Sequence, residues 1–184
     1  MFTGIVQAVG RLEKLHPHVI ATGTFPLGDV AIGDSICVQG CCLTVIRKGK
    51  GRLWFDVSKE TLRVTTGLDR AGRVNLEKSL GLGDKLGGHL VTGHVDGVGR
   101  LAGVKGSEYT FEAPKDLARY VARKGSICVN GVSLTVNRVK GRRFEVNLIP
   151  HTLKVTTLGG LRVGDPVNLE VDLIARYVAR LLDR

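Results

Sequence analysis

Residues Ser126–Val136 read SICVNGVSLTV and residues Ser35–Val45 read SICVQGCCLTV, so eight of eleven positions are identical. Met1–Leu12 (MFTGIVQAVGRL) matches Leu90–Leu101 (LVTGHVDGVGRL) at seven of twelve positions. TLRVTT at 61–66 matches TLKVTT at 152–157, and VNLE occurs at 74–77 and again at 167–170. The offset between matching segments stays between 89 and 93 residues. The chain therefore contains two copies of one domain in tandem. Two copies predict two similar pockets, which suit a reaction between two similar molecules.

A β-hairpin is predicted at the centre of each copy. Asn130-Gly131 lies between two β-prone runs, and this pair favours a two-residue type I′ turn because both turn residues need positive φ. Gln39-Gly40 holds the same place in the first copy and is a weaker turn former. Period-two alternation predicts an apolar core face (Cys41, Leu43, Val45; Val132, Leu134, Val136) and a small, polar face (Cys42, Thr44; Ser133, Thr135).

Further strands are expected near Ile5–Leu12, Leu53–Val57, Arg63–Thr66, Val74–Glu77 and at the matching positions of the second copy. Glycine accounts for 25 of 184 residues, about twice its usual share. Several short strands with glycine-rich turns in a domain of roughly 90 residues indicate a closed or sandwiched β domain. The connector between the copies is expected within Lys78–Gly88, which lacks the pattern of a phosphate-binding loop.

Two helices are predicted. In the second copy Pro114 suits a first helical position, Leu117 and Val121 are spaced i, i+4, and Gly125 can end the helix. Leu173–Arg184 has no counterpart in the first copy and contains one apolar stripe, formed by Ile174, Tyr177, Val178, Leu181 and Leu182. Because an isolated helix this short is marginal in water, it must pack either on its own barrel or against other copies in an oligomer.

The composition limits the function classes. A net charge of +10 could attract nucleic acid, but no basic stripe is interleaved with the nine aromatic residues, so a solvated basic surface is favoured. A basic β-barrel that binds single-stranded nucleic acid remains an alternative that rests on charge alone. No signal peptide and no apolar run of about 20 residues is present, so no membrane contact is expected. The four cysteines lie in strand-like segments, which predicts reduced thiols in a cytoplasmic protein.

Six motifs, taken together and in order, resemble the riboflavin synthase family of tandem lumazine-binding barrels. They are MFTGIV at the N-terminus, GCCLTV at 40–45, KETL at 59–62, GGHLVTGH at 87–94, NGVSLTV at 130–136 and IPHTL at 149–153. The resemblance covers essentially the whole chain. It implies an all-β fold of two homologous six-stranded Greek-key barrels, at 1–86 and 87–172, followed by an oligomerisation helix at 173–184. It also implies a homotrimer whose active sites lie between the N-terminal barrel of one subunit and the C-terminal barrel of its neighbour, and it leaves an association with lumazine synthase open.

The activity that the resemblance implies is the dismutation of two molecules of 6,7-dimethyl-8-ribityllumazine. A four-carbon unit moves from one molecule to the other, giving riboflavin and 5-amino-6-(D-ribitylamino)uracil without a cofactor. The C7 methyl group of one lumazine loses a proton, and the resulting carbanion attacks the second lumazine. Because both reactants must be held face to face, positioning is expected to supply most of the catalysis, on the order of 7–11 kcal/mol.

The resemblance also implies two sets of binding residues, which are matched in the repeat apart from Lys124. The first pocket is lined by Gly4, Ile5, Val6, Cys42, Leu43, Thr44, Asp56, Val57, Ser58, Lys59, Glu60 and Thr61. The second is lined by Gly93, His94, Val95, Lys124, Ser133, Leu134, Thr135, Ile149, Pro150, His151, Thr152, Leu153 and Lys154. Asp172 is a further residue that the family uses, and we include it with the catalytic candidates.

Three residues are the main candidates for chemistry. His94 is the best candidate for a general acid or base because an imidazole titrates near neutral pH, although a strand histidine can also serve only as a hydrogen-bonding group. Ser133 or Cys42 could add to C7 or place the water molecule that does so. Alternatively, Cys42 is a small residue that fills space beside the ring.

The remaining candidates would bind rather than react. Lys59 and Lys124 either orient ring carbonyls and ribityl hydroxyls or are plain surface cations. Thr44 and Thr135 are expected to donate hydrogen bonds to the ring edge. Phe2 covers either a ligand or the N-terminal barrel, and the sequence does not separate these two interpretations.

Two other interpretations compete with the enzyme. His89 and His94 should face opposite sides of a predicted strand and have no ligand at a suitable spacing, so no metal site is expected. Lumazine proteins, which hold a lumazine or flavin as a light-emitting antenna without turnover, resemble the same family but need only one good pocket. Because both copies here keep the TG-V, LTV and TL motifs, the enzyme is favoured.

Overall fold

The computed structural model describes residues 1–15 and 18–183, and within these residues the chain forms two closed antiparallel β-barrels. The first barrel consists of β1 (Ala8–Leu15), β2 (His18–Ala21), β3 (Ser35–Val38), β4 (Cys41–Gly49), β5 (Arg52–Phe55) and β6 (Gly72–Lys78). The second consists of β7 (Gly97–Lys105), β8 (Glu108–Glu112), β9 (Ser126–Val129), β10 (Val132–Lys140), β11 (Arg143–Asn147) and β12 (Pro166–Val171). Strand order around the first barrel is β1-β2-β5-β4-β3-β6, and the second repeats this cycle. The predicted all-β tandem-barrel fold is confirmed.

Each barrel encloses its own hydrophobic core. Leu12, Phe55 and Leu76 are fully buried in the first barrel, and Phe111 stacks on Phe144 in the second with ring centroids 5.6 Å apart. The predicted division of the β4 and β10 faces is confirmed, because the six residues of the predicted apolar faces are buried, whereas Thr44 and Thr135 are exposed and Cys42 and Ser133 are half-buried. The polar faces of both strands are therefore available for a ligand.

Both predicted hairpin turns are present. Gln39 and Gly40 have φ of 52° and 88°, and Asn130 and Gly131 have φ of 51° and 83°. Gln39 is a poor residue for this conformation, but its carbonyl accepts a hydrogen bond from Asn168 Nδ2 at 2.8 Å and its Oε1 accepts one from the Asn75 amide at 2.9 Å. Hydrogen bonds from the rest of the fold thus hold a turn that the local sequence favours only weakly.

The prediction of a strand at Arg63–Thr66 is wrong, and so is its counterpart in the second copy. The structure has α1 (Lys59–Val64) and α2 (Pro150–Val155) instead. Ser58 caps α1 by accepting a hydrogen bond from the Thr61 amide at 3.0 Å, and Pro150 occupies the first turn of α2, where its missing N–H is no loss. The threonines that suggested strands lie at the helix ends. There the hydroxyl groups of Thr65 and Thr156 donate hydrogen bonds to the carbonyls four residues earlier.

The prediction of a helix from Pro114 to Gly125 is also wrong in extent. Only one 3₁₀ turn, Ala118–Tyr120, is formed. At Val121 the backbone leaves helical geometry (φ −92°, ψ 112°), which allows both Leu117 and Val121 to be buried in the second core. Burial in the barrel has overridden the local helical pattern.

The C-terminal helix is confirmed as α3 (Leu173–Leu182), and Arg184, the last residue of the predicted segment, lies outside the described residues. Its stripe is exposed in the single chain: Ile174, Tyr177, Leu181 and Leu182 have between 63% and 76% of their surface accessible. The barrel of the same chain, one of the two packing partners predicted for α3, therefore does not cover the stripe. Packing against other copies in an oligomer stays a prediction.

Other predictions concern cysteines, histidines and the membrane. All four cysteines are free thiols. The prediction that His89 and His94 lie on a strand is wrong, because both belong to an irregular segment between β6 and β7 whose only pairing is a bridge between Phe2 and Val91. No group of three or more potential ligands that could hold a metal ion occurs among residues 1–15 and 18–183. No helix in the described part of the chain is long and apolar enough to cross a bilayer.

Candidate active site

The two barrels meet at their central hairpins, which lie back to back. A Cβ atom on Gly40 would stand 2.8 Å from the Gly131 nitrogen, and one on Gly131 would stand 3.0 Å from the Gly40 nitrogen, so both positions require glycine. Asn75 Nδ2 donates to the Asn130 carbonyl at 2.8 Å, which mirrors the bond from Asn168 to Gln39. The contact is thus approximately two-fold symmetric, and it fixes β4 and β10 relative to one another.

A pair of buried glutamates holds the Thr-Gly motif that opens each repeat. Glu77 accepts hydrogen bonds from the Thr3 amide (2.7 Å), the Thr3 hydroxyl (2.8 Å) and the Gly4 amide (3.0 Å). Glu170 accepts from Thr92 and Gly93 in the same way, at 2.6–2.9 Å. Burial raises the pKa of both carboxyl groups, and these hydrogen bonds, which favour the charged form, oppose the rise. The two motifs are therefore anchored identically.

Each Thr-Gly motif then continues onto the opposite barrel. The Ser133 amide of β10 donates to the Gly4 carbonyl at 2.8 Å, and the Cys42 amide of β4 donates to the Gly93 carbonyl at 2.8 Å. Val6 packs against the core of the second barrel, whereas Val95 packs against the core of the first. The opening segments of the repeats are thus exchanged between the barrels.

This exchange corrects the predicted grouping of the pocket residues. The prediction groups residues 4–6 with 42–44, but they lie against Ser133 of β10, and residues 93–95 lie against Cys42 of β4. We call the set formed by 42–44, 56–61 and 93–95 the N-side half-site. We call the set formed by 4–6, 133–135 and 149–154 the C-side half-site. These contacts exchange residues 4–6 and 93–95 between the two predicted pockets, and they place Lys124 in neither set.

The two half-sites share a backbone and differ in side chains. Cys42 corresponds to Ser133, and His94 corresponds to Ile5, and within each pair the side chains are comparably accessible. Lys59, Glu60 and Thr61 begin α1, whereas Pro150, His151 and Thr152 begin α2. Glu60 is engaged with Arg63 in an exposed ion pair at 2.7 Å. Equivalent positions therefore present different chemistry to whatever binds.

Lys124 adopts a backbone conformation that is strained for a side chain. Its φ is 67°, and Gly33, the matched residue, has φ of 95°. Both amides donate to the neighbouring strand, Lys124 to the Val136 carbonyl at 2.7 Å and Gly33 to the Val45 carbonyl at 2.8 Å. A lysine kept at a left-handed position where the other copy uses glycine points to a use for the exposed ammonium group.

The structure gives definite positions to three further candidates. Phe2 is fully buried against Cys37, Val91 and Cys128 between the barrels, so it serves the core rather than a ligand. Asp172 caps α3 by accepting a hydrogen bond from the Ile174 amide at 2.9 Å. His94 is exposed, and its imidazole is held by no hydrogen bond among the described residues.

Among the thiols, only Cys42 is accessible. Burial raises the pKa of Cys37 and Cys128 well above the ordinary value and that of Cys41 to about 12, so these three stay protonated and unreactive. Cys42 alone reaches the surface of the N-side half-site. It is the one cysteine whose position suits contact with a ligand.

Sequence reasoning missed two features around the site. Asp96 accepts hydrogen bonds from the Val171 amide and from Arg176, both within 2.9 Å, which ties the segment after His94 to the start of α3. Burial raises the pKa of Asp96, and the Arg176 guanidinium opposes the rise. Neither predicted pocket includes His89, yet its Nδ1 lies 2.7 Å from Ser133 Oγ. The one sequence signal for a role of His89 near the site is its position directly before Leu90, where the second opening segment begins.

Comparison with known proteins identifies relatives of this architecture. The family described as "Lumazine binding domain" matches residues 3–79 and again 92–172. Riboflavin synthase of Brucella abortus is 43% identical over 98% of both chains, and riboflavin synthase of Mycobacterium bovis is 46% identical over 99% of this chain and 98% of its own length. Among solved structures, LumP complexed with riboflavin has a TM-score of 0.81 at 30% identity, and LumP complexed with 6,7-dimethyl-8-(1'-D-ribityl) lumazine has a TM-score of 0.79 at 28% identity. Each of these two alignments covers 93% of this chain and 99% of the LumP chain.

Proposed function

Because this chain belongs to the riboflavin synthase family, we propose that it converts two molecules of 6,7-dimethyl-8-ribityllumazine to riboflavin and 5-amino-6-(D-ribitylamino)uracil. It is a transferase, and a four-carbon unit is the group transferred. The observation that carries this function is the pair of half-sites, which share one backbone framework but carry different side chains. Such a pair can hold two identical reactants in related orientations and treat them differently.

Most of the rate enhancement comes from this arrangement. Holding two lumazines face to face converts a bimolecular step into an intramolecular one, which is worth about 7–11 kcal/mol in favourable cases. The symmetric contacts through Asn75, Asn168, Glu77 and Glu170 are rigid supports for the two binding surfaces. The protein therefore needs only modest acid–base chemistry on top of positioning.

We assign the chemical groups as follows. His94 of the N-side half-site moves a proton to or from the bound lumazine, because it is an exposed imidazole that no hydrogen bond within the described residues engages. Cys42 and Ser133 contact the ring at C7 or hold the water molecule there. Thr44 and Thr135, exposed on the same strand faces, bind the ring edge, and Lys59 and Lys124 bind ring carbonyls or ribityl hydroxyls.

The antenna alternative is not favoured. LumP shares 28–30% of residues with this chain, whereas the riboflavin synthases of Brucella abortus and Mycobacterium bovis share 43–46% over nearly the full length. Incubating the chain with 6,7-dimethyl-8-ribityllumazine alone should produce riboflavin fluorescence, with one riboflavin formed for every two lumazines consumed. Stoichiometric binding of lumazine without any turnover would overturn the proposed function and support the antenna.

A complete site needs both half-sites facing each other, and we propose that a homotrimer brings this about, with the N-side half-site of one subunit opposite the C-side half-site of the next. Two observations support this proposal. Leu181 and Leu182 in the apolar stripe of α3 are more than 70% exposed, and both half-sites are open to solvent in the single chain. Large apolar patches on small soluble proteins mark interaction sites. We take 1–86, 87–172 and 173–184 as the structural units of this assembly.

Sedimentation tests the assembly directly. The chain should sediment as a trimer, and Leu181→Glu should shift it towards monomer and remove turnover while the barrels stay folded. A fully active monomer would show that each chain holds a complete site. We place the enzyme in the cytoplasm, consistent with its four free thiols, and co-sedimentation with lumazine synthase would test that association.

A further inference from the structure

The segment that precedes the second Thr-Gly motif is packed directly onto Ser133. A Cβ atom on Gly88 would lie 2.1 Å from the Thr3 carbonyl oxygen and 2.9 Å from Ser133 Oγ, so only glycine lets the chain pass there. The next residue, His89, donates its amide to the Thr3 carbonyl at 3.1 Å and brings its Nδ1 to 2.7 Å from Ser133 Oγ. The serine of the C-side half-site is thus engaged by a histidine from outside the predicted pocket.

The other ring nitrogen of His89 is unusual. Its Nε2 is buried and has no hydrogen-bond partner within the described residues. A buried polar atom left unpaired loses its hydrogen bonds to water without replacement, so in a native structure it calls for an explanation. The ring orientation that places Nδ1 at 2.7 Å from Ser133 Oγ also leaves Nε2 without a partner within the described residues. The hydrogen bond with Ser133 therefore offsets the missing hydrogen bond at Nε2.

Burial of the ring favours a neutral imidazole with a hydrogen on one nitrogen. Burial lowers the pKa of His89, and the Asp172 carboxylate nearby opposes this by favouring the protonated ring. A neutral ring has one donor and one acceptor nitrogen. If Nδ1 is the acceptor, it takes the hydrogen of the Ser133 hydroxyl and turns the lone pairs of Oγ away from the imidazole.

The contact between His89 and Ser133 breaks the symmetry of the repeat. The alignment of the two copies pairs Met1 with Leu90, so it begins one residue after His89. Within the described chain, the thiol of Cys42, the residue matching Ser133, is free and forms no such hydrogen bond. His89 is therefore a difference between the half-sites that the alignment of the two copies cannot reveal.

We propose that His89 is a positioning residue that holds the Ser133 hydroxyl as a hydrogen-bond acceptor for the lumazine bound in the C-side half-site. This proposal rests on the proposed function. It gives the C-side half-site a hydroxyl oxygen held in one orientation, whereas the thiol of Cys42 in the N-side half-site has no such partner within the described residues. His89 acts through Ser133 and does not itself touch the ligand.

The test is a double-mutant cycle. His89→Leu removes the contact and should lower kcat about 10- to 100-fold, the scale expected when a reacting geometry is loosened, with KM changed much less. His89→Asn keeps a polar group at the position of Nδ1 and should recover most of kcat. In a Ser133→Ala background, His89→Leu should have no further effect, whereas in a Cys42→Ala background it should have its full effect.

Several results would overturn the proposal. An unchanged kcat in His89→Leu, no recovery in His89→Asn, or the same fold-loss with and without Ser133 would each do so. If Ser133→Ala is too slow to assay, the imidazole ¹⁵N spectrum decides, because Nδ1 should be unprotonated in the wild type and its resonance should move in Ser133→Ala. Normal thermal melting of each variant excludes misfolding. Failure of the wild-type chain to turn over lumazine would instead reject the proposed function.

Discussion

Replacing Gly93 with alanine tests whether the exchanged segments hold the half-sites together. Gly93 has φ of 78°, and an added Cβ would stand 2.6 Å from Cys42 Cβ and 2.7 Å from the Cys42 backbone nitrogen, which cannot move aside without disturbing β4. Left-handed geometry costs about 1–2 kcal/mol for a residue with Cβ, overpacking about 1–3 kcal/mol and loss of the bond from Cys42 about 1 kcal/mol. Allowing for the lower entropy of the unfolded alanine variant, we expect a net loss of about 2–5 kcal/mol.

The matched control is Gly51→Ala in the first barrel, against which Gly93 packs. Gly51 has φ of 70°, nearly that of Gly93, but a Cβ there would meet no atom within 4 Å. It should therefore lose only the conformational part, about 1 kcal/mol. Trp54, the single tryptophan, lies on β5 of the first barrel and reports its unfolding in urea. Gly93→Ala should also lose turnover, which Gly51→Ala should keep. Equal losses of stability in the two variants would refute the steric argument and the exchange with it.

Three further results are expected. Burial raises the pKa of Glu77, so its carboxyl group binds more protons in the folded state than in the unfolded state. Its contribution to the free energy of unfolding therefore falls as pH rises from the ordinary glutamate pKa through the raised one. Glu77→Gln should make this fall less steep when stability is measured by urea titration at several pH values, and an unchanged pH dependence would contradict the assignment. Lys124→Gly should relieve strain and leave stability equal or up to about 1 kcal/mol higher while raising KM for lumazine, so a loss of stability with unchanged KM would remove its binding role. Mixing a Cys42→Trp chain with a Ser133→Trp chain should restore roughly a quarter of the activity by random assortment, whereas verified mixed oligomers without activity would argue against sites between subunits.

Local sequence sufficed where side-chain periodicity and turn chemistry act alone. Asn130-Gly131 predicts its turn because both residues accept positive φ, and alternation along β10 predicts which residues are buried. For α1 the local signals conflict. Its last residues resemble a strand, and this resemblance conflicts with the local helix-start signal of Ser58, which caps α1 in the structure.

The grouping of the half-sites was beyond the sequence for a reason of symmetry. Alignment of the two copies shows that Gly4 corresponds to Gly93 and Cys42 to Ser133. The same alignment results whether the opening segment of each copy packs on its own barrel or on the other barrel. Contacts such as that between Ser133 and the Gly4 carbonyl join residues more than 120 positions apart. Only the three-dimensional structure distinguishes the two pairings.

The pattern of identity between the copies separates framework from chemistry. Glu77 and Glu170, which have the same role in both copies, are carboxylate supports that lie beneath the half-sites. Residues that differ, such as Cys42 against Ser133, lie on the accessible faces. A reaction between two identical molecules needs both properties at once, because the molecules must be held alike and yet only one must lose its methyl proton. Duplication of a small barrel followed by divergence on its open face supplies both. For that reason the residues that break the symmetry are the ones whose replacement should affect turnover more than folding.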